Sequence, residues 1–146
     1  MVPNKLSRWL FDPVCTDTGL LLLRVAFGTG IAYHGFGKVT GDITKFAAGV
    51  AELGFPLPLA FAWAAALSEL LGGIFLAIGL LTRPAALFIV FTMAIAAFGA
   101  HGADPFKKKE LALAYLFAAA AIFFTGAGRF AADYWLRGKS KDASPL

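Results

Sequence analysis

The stretch PLAFAWAAALSELLGGIFLAIGLLTRPAALFIVFTMAIAAFG at residues 58–99 holds two long apolar runs interrupted by charge only at Glu69 and Arg83. About 20 apolar residues in a helix cross the roughly 30 Å hydrocarbon core of a bilayer. Thr82-Arg83-Pro84 leaves so little chain between the runs that the second must return beside the first. The segment therefore reads as a transmembrane hairpin with spans at about 58–81 and 84–101. Upstream, LLLRVAFGTGIAYH forms the core of a further span at about 18–37, with Asp17 or Thr18 as its cap. Downstream, a fourth span at about 110–126 ends at GAGR, residues 126–129. The chain has 146 residues, 59% of them hydrophobic and 15% charged, and a mean hydropathy of +0.73. Four spans consume most of that apolar content and leave no room for a soluble catalytic head. The expected fold is all-α, a polytopic membrane four-helix bundle forming one integral membrane domain over residues 1–146.

Between the first two spans, Ile43, Phe46, Ala47, Val50 and Leu53 recur at helical spacing while Asp42, Lys45 and Glu52 point elsewhere. This pattern predicts a short interfacial amphipathic helix, read either as a plain connection or as a substrate-admitting element. The opening MVPNKLSRWLF has neither a long apolar core nor a small-residue cleavage pattern, so no cleaved signal peptide is expected. Four crossings place both termini on one side with Lys5, Arg8, Arg83, Arg129, Arg137, Lys139 and Lys141. Lys38, Lys45, Lys107, Lys108 and Lys109 face the other side. Seven cations against five favour cytoplasmic termini in a bacterial inner membrane. The net charge of +4 is claimed by lipid headgroups, and no nucleic-acid partner is expected. Cys15 is the single cysteine, which excludes an intramolecular disulfide, a CxxC redox pair and a thiolate metal cage.

Arg24 and Glu69 stand inside spans, where an unpaired charge costs at least about 2.5–3.5 kcal/mol. Taken together they read as an ion pair, either fixing helix register or handling substrate or protons. Arg24, Gly28, Ile31, Gly35 and Lys38 share one arc of the first helix with His34 at its edge, and Gly72 and Gly73 lie beside Glu69. These glycines admit either a neighbouring backbone or a flat ligand. His34 and His101 close the first and third spans, and Lys38 and Glu110 reach the same membrane surface. Interfacial snorkelling and ligand binding both account for them. Their spacing lacks the tightness of a metal or haem site, so neither group is expected. No GxSxG, HExxH, P-loop or GxGxxG context is present.

The order LLRxxxG, HGxxK and ExxGGxxLxxGLLTR, with ELGFPLP at 52–58 and KKKELALAYLFAAAAIFFTGAGRFAAD at 107–133, resembles the DoxX family of small four-helix membrane proteins. Members of that family include the small membrane subunit of thiosulfate:quinone oxidoreductase, and others are linked to membrane-bound oxidative-stress complexes. The family pattern maps onto Arg24, His34, Gly35, Lys38, Glu69, Gly72, Gly73, Thr82, Arg83, His101, Glu110, Gly128, Arg129 and Asp133. The resemblance implies an accessory redox subunit. The expected ligand is a quinone held by Arg24, His34, Lys38, Glu69, His101 and Glu110. In this reading His34 and Lys38 donate to the ring carbonyls, Glu69 relays protons, and Arg24 is its counter-ion. Expected partners are membrane lipids, an oxidoreductase subunit and a second copy of the chain. A small-molecule carrier or channel, or a packing-only anchor for a peripheral enzyme, is the alternative.

Overall fold

The computed structural model describes residues 15–142, so the opening segment with Lys5 and Arg8 lies outside the described residues. Among the described residues six α-helices follow one another: α1 (Thr16–Thr40), α2 (Ile43–Glu52), α3 (Pro58–Ile78), α4 (Thr82–Ala94), α5 (Phe106–Thr125) and α6 (Ala132–Asp142). A π-helical segment, Ile95–Ala100, continues α4 without a break. No strand occurs among the described residues. The chain is an all-helical polytopic membrane protein. Three of its helical stretches, Thr16–Thr40, Pro58–Ile78 and Thr82–Ala100, are long and apolar enough to cross a bilayer. Helix α5 has the length but opens with Lys107, Lys108, Lys109 and Glu110.

The ends differ from the sequence expectation for local reasons. Helix α1 starts at Thr16 behind Cys15, and neither Asp17 nor Thr18 caps it. Asp17 instead accepts the Arg129 backbone N–H at 2.9 Å. Helix α3 begins with Pro58 at its first turn and stops at Gly79, whose φ of 72° is left-handed. There the Gly79 and Leu80 N–H groups close back on the Leu76 and Phe75 carbonyls, a glycine-terminated helix end. Leu81 is also left-handed, with φ 45°. It tolerates this because the Asp133 carboxylate accepts both the Leu81 N–H at 2.8 Å and the Thr82 N–H at 2.9 Å. Asp133 thus caps α4 from α6, a helix the sequence reading did not foresee.

Helices α1 and α3 make the closest contact in the fold, and small residues are the cause. The buried stripe of α1 is Arg24, Gly28, Ile31 and Gly35, and that of α3 includes Ala62, Ala66, Glu69, Gly72, Gly73 and Leu76. A methyl on Gly28 would stand 2.6 Å from the Ala77 nitrogen, one on Gly73 2.6 Å from the Ala32 nitrogen, and one on Gly35 would run into Leu70. Of the two uses the sequence left open for these glycines, backbone approach is the one they serve. Gly30 differs, since its Cα faces the Tyr115 hydroxyl. The core beyond this contact joins Ile31, Leu76, Ala86, Ile89, Met93, Ala119 and Ile122 from α1, α3, α4 and α5.

Helix α2 is amphipathic as its spacing predicts. Asp42 caps it by accepting the Thr44 and Lys45 N–H groups at 3.0 and 3.1 Å. The Thr44 hydroxyl, together with those backbone bonds, holds the Asp42 carboxyl below its ordinary range. Its Ala47 and Val50 bury against Ala62 of α3, flanked by Ile43, Phe46 and Phe55.

Candidate functional site

Arg24 and Glu69, expected to pair, do not. Arg24 is fully buried and spends its guanidinium on carbonyls. Nη1 donates to Leu76 O and Ala77 O at 3.4 Å, and Nη2 donates to Phe130 O at 2.7 Å. Leu76 and Ala77 sit in the last turn of α3, where carbonyls no longer have an i+4 helical donor and, with the negative end of the helix dipole, attract a cation. The register explains the separation. Gly28 packs beside Gly73 and Ala77, and Gly35 beside Glu69 and Leu70, so Glu69 is level with Gly35. Eleven helical residues separate Arg24 from Gly35, or roughly 16 Å along the axis, beyond the reach of an arginine.

Glu69 pairs instead with Lys38, whose Nζ donates to Oε1 at 2.5 Å. Lys38 lies almost one turn beyond Gly35, and side chains on a helix lean back toward its N-terminus, which carries the ammonium inward. The same ammonium stands 4.8 Å from the centre of the Phe46 ring on α2, a cation–π contact that ties the amphipathic helix to the pair. Glu69 is only 1% exposed, and its second oxygen, Oε2, is buried without a hydrogen-bond partner. A buried carboxylate oxygen without a partner is costly and asks for a donor.

That residue lines a cavity of about 190 Å³. His34 and Lys38 of α1, Glu69 of α3, Met93 and Ala96 of the α4 run, His101, and Lys108 and Tyr115 of α5 all contribute to it. Four of the six residues picked out from the sequence, His34, Lys38, Glu69 and His101, therefore converge. Arg24 belongs to the other end of the helices, and Glu110 is exposed outside the cavity. The π-helical turn supplies one wall: the His101 N–H reaches back to Ala96 O at 2.9 Å, and such wide turns often mark functional sites. His101 Nδ1 lies 2.9 Å from Asp104 Oδ2, and Lys108 Nζ donates to Asp104 Oδ1 at 3.1 Å. Hydrogen bonds from His101 and Lys108 hold the Asp104 carboxyl below its ordinary range.

Tyr115 was missed by the sequence reading. Its ring meets His34 edge-on at 5.8 Å and Phe27 at 5.7 Å, and its hydroxyl rests beside Gly30. The available signal was a lone tyrosine within an alanine- and leucine-rich helix, an apolar ring with a polar tip. No group of three His, Cys, Asp or Glu side chains gathers as a metal site among the described residues.

The profile of the DoxX family matches residues 19–102, a stretch that contains Arg24, His34, Lys38, Glu69 and His101. Neither a curated protein nor a solved structure matches the chain. With more than half of its residues inside that match, from α1 to just beyond the π-helical end of α4, the chain belongs to the DoxX family.

Proposed function

We propose that the protein is an accessory subunit of a membrane oxidoreductase and holds the ring of a quinone in the cavity between Glu69 and Tyr115. The observation that carries this reading is the buried, unpartnered Glu69 Oε2, a ready acceptor for the hydroxyl of a reduced ring. A bound quinone supplies a two-electron, two-proton couple. Glu69 accepts a hydrogen bond at one end of the slot, and His34 and the Tyr115 hydroxyl are the donors toward a carbonyl at the other. Lys38 holds Glu69 in place and neutralises its charge. The roughly 190 Å³ cavity has room for one ring and is smaller than the about 300–1,000 Å³ of drug-sized sites, so an isoprenoid tail lies outside it. Electrons come from a partner oxidoreductase, and this chain positions the ring and moves protons. In this reading α5 is a fourth span, with its lysines at the headgroups, and the termini face the cytoplasm of a bacterial inner membrane.

The test is titration of decylubiquinone and its quinol into the protein in nanodiscs by calorimetry. Saturable binding that is tighter for the quinol supports the proposal. In Glu69→Gln the amide oxygen must serve Lys38 and the NH2 then faces the cavity, so quinol affinity falls about 2- to 12-fold, one useful hydrogen bond. Tyr115→Phe weakens both forms. Absence of saturable binding to the wild type, or unchanged quinol affinity in Glu69→Gln, overturns the assignment.

A further inference from the structure

At the opposite end of the helices from Glu69 the structure holds a larger cavity, about 740 Å³. Its walls are Leu81 of the α3–α4 turn with the first turn of α4 at Thr82–Pro84, the chain leaving α5 at Thr125–Arg129, and one side of α6. Three arginines line it: Arg83, Arg129 and Arg137. Two acids line it as well, but both are occupied. Asp17 accepts the Arg129 N–H at 2.9 Å, and its other oxygen lies 3.7 Å from Arg129 Nε. Asp133 accepts the Leu81 and Thr82 N–H groups. Arg83 has no carboxylate partner among the described residues, and its Nη2 reaches to 4.0 Å from the place a Cβ would take on Gly126, so its charge hangs over the cavity.

Because α3 and α4 are membrane-crossing helices, the turn between them lies at headgroup depth. Around the arginines, Phe130, Tyr134, Trp135 and Leu136 expose large apolar surfaces, the residue types that settle at a membrane interface. Cations lining the cavity next to the exposed Tyr134 and Leu136 fit an amphiphile whose head is an anion. Guanidinium groups favour phosphate because their planar donors bind two of its oxygens together. We infer that this cavity binds the phosphodiester headgroup of an anionic phospholipid, with Arg83 and Arg137 on the phosphate. The site stands independently of whatever occupies the Glu69 cavity.

The experiment compares dioleoylphosphatidylglycerol with dioleoylphosphatidylcholine, added to the full chain in detergent and read by thermal melting and by lipid retention in native mass spectrometry. Phosphatidylglycerol is expected to raise the melting temperature more than phosphatidylcholine and to survive as a bound adduct. Arg83→Gln and Arg137→Gln each reduce its retention about tenfold, the loss of one charge-assisted contact. Lys45→Gln, an exposed charge on α2, leaves retention unchanged. Melting in phosphatidylcholine reports folding of each variant, so lipid loss is separated from misfolding, and Arg83→Lys retains part of the effect. Inorganic phosphate at millimolar concentration gives no comparable shift. Equal stabilisation by the two lipids, full retention in the arginine variants, or a matching shift with inorganic phosphate overturns the assignment.

Discussion

Arg24 and Glu69 both announce themselves in the sequence as charges in apolar helices, yet the partners they take lie at opposite ends of one helix pair. Periodicity reveals which face each side chain occupies. It does not give the sliding register of two antiparallel helices, which Gly28 and Gly35 set by backbone contact with α3. Since the two charges are roughly 16 Å apart along the axis, Arg24→Leu and Glu69→Leu should be additive within about 0.5 kcal/mol in detergent melting. Arg24→Leu alone should cost about 1–3 kcal/mol by taking the donor from the part-buried Ala77 and Phe130 carbonyls. A double mutant markedly more stable than the sum of its singles would restore the rejected pair. Asp133 offers a pH test. Burial pushes its carboxyl pKa up, but hydrogen bonds from Thr82 and Leu81, helped by the charge of Arg137, outweigh it and the pKa lies below its ordinary value. A carboxyl lowered on folding stabilises the fold fully above its unfolded pKa of about 3.9, and that contribution disappears as pH falls through the lower folded value. Melting of wild type and Asp133→Asn should therefore converge as pH drops from about 5 toward 3. Parallel curves would exclude the capping carboxylate as the source.

Elements were more legible than their joints. The amphipathic spacing of α2, the Pro58 start of α3 and the tight return into α4 could be read directly, because each follows from local residue chemistry, although the turn itself falls at Gly79–Leu81 and Thr82, Arg83 and Pro84 form the first turn of α4. The Asp133 cap of α4 could not, since it joins residues 51 and 52 positions apart in sequence. Nor could the π-helical turn at Ile95–Ala100, which no residue type encodes and which carries His101 to the cavity. The role of individual glycines is likewise a property of packing. Gly35 and Gly37 are both helical glycines in α1, but a methyl on Gly35 meets the α3 backbone and one on Gly37 meets nothing. Gly35→Ala should thus destabilise the protein by about 1–3 kcal/mol through overpacking. Gly37→Ala should be neutral or stabilise by up to about 1 kcal/mol through helix propensity. Urea or thermal melting of the two variants decides this, and equal effects of the same sign would remove the close α1–α3 contact.

For the whole molecule, the apolar content and its division into blocks were enough to assign a polytopic helical membrane protein, because that property depends on composition and length. Whether α5 crosses is a finer matter of where four charged residues come to rest. Helix α5 packs against α4 and α1, burying Ala118, Ala119 and Ile122 in the shared core. From Leu111 to Thr125 it offers an apolar length of roughly 22 Å, short of the core thickness but extended by lysines that snorkel to the headgroups. Four crossings require Cys15, which is exposed before α1, and Gly138 of α6 to share one side, with Ala103 on the other. Labelling of sealed membrane vesicles with an impermeant maleimide tests this. The native Cys15 and single cysteines placed at Gly138 and Ala103 in a Cys15→Ser background should react in the pattern same, same, opposite. If the cysteine at position 138 reacted from the side of position 103, α5 would not cross and the chain would have three spans. If all three sides were exchanged together, the spans would stand and only the seven-against-five charge argument for cytoplasmic termini would fall.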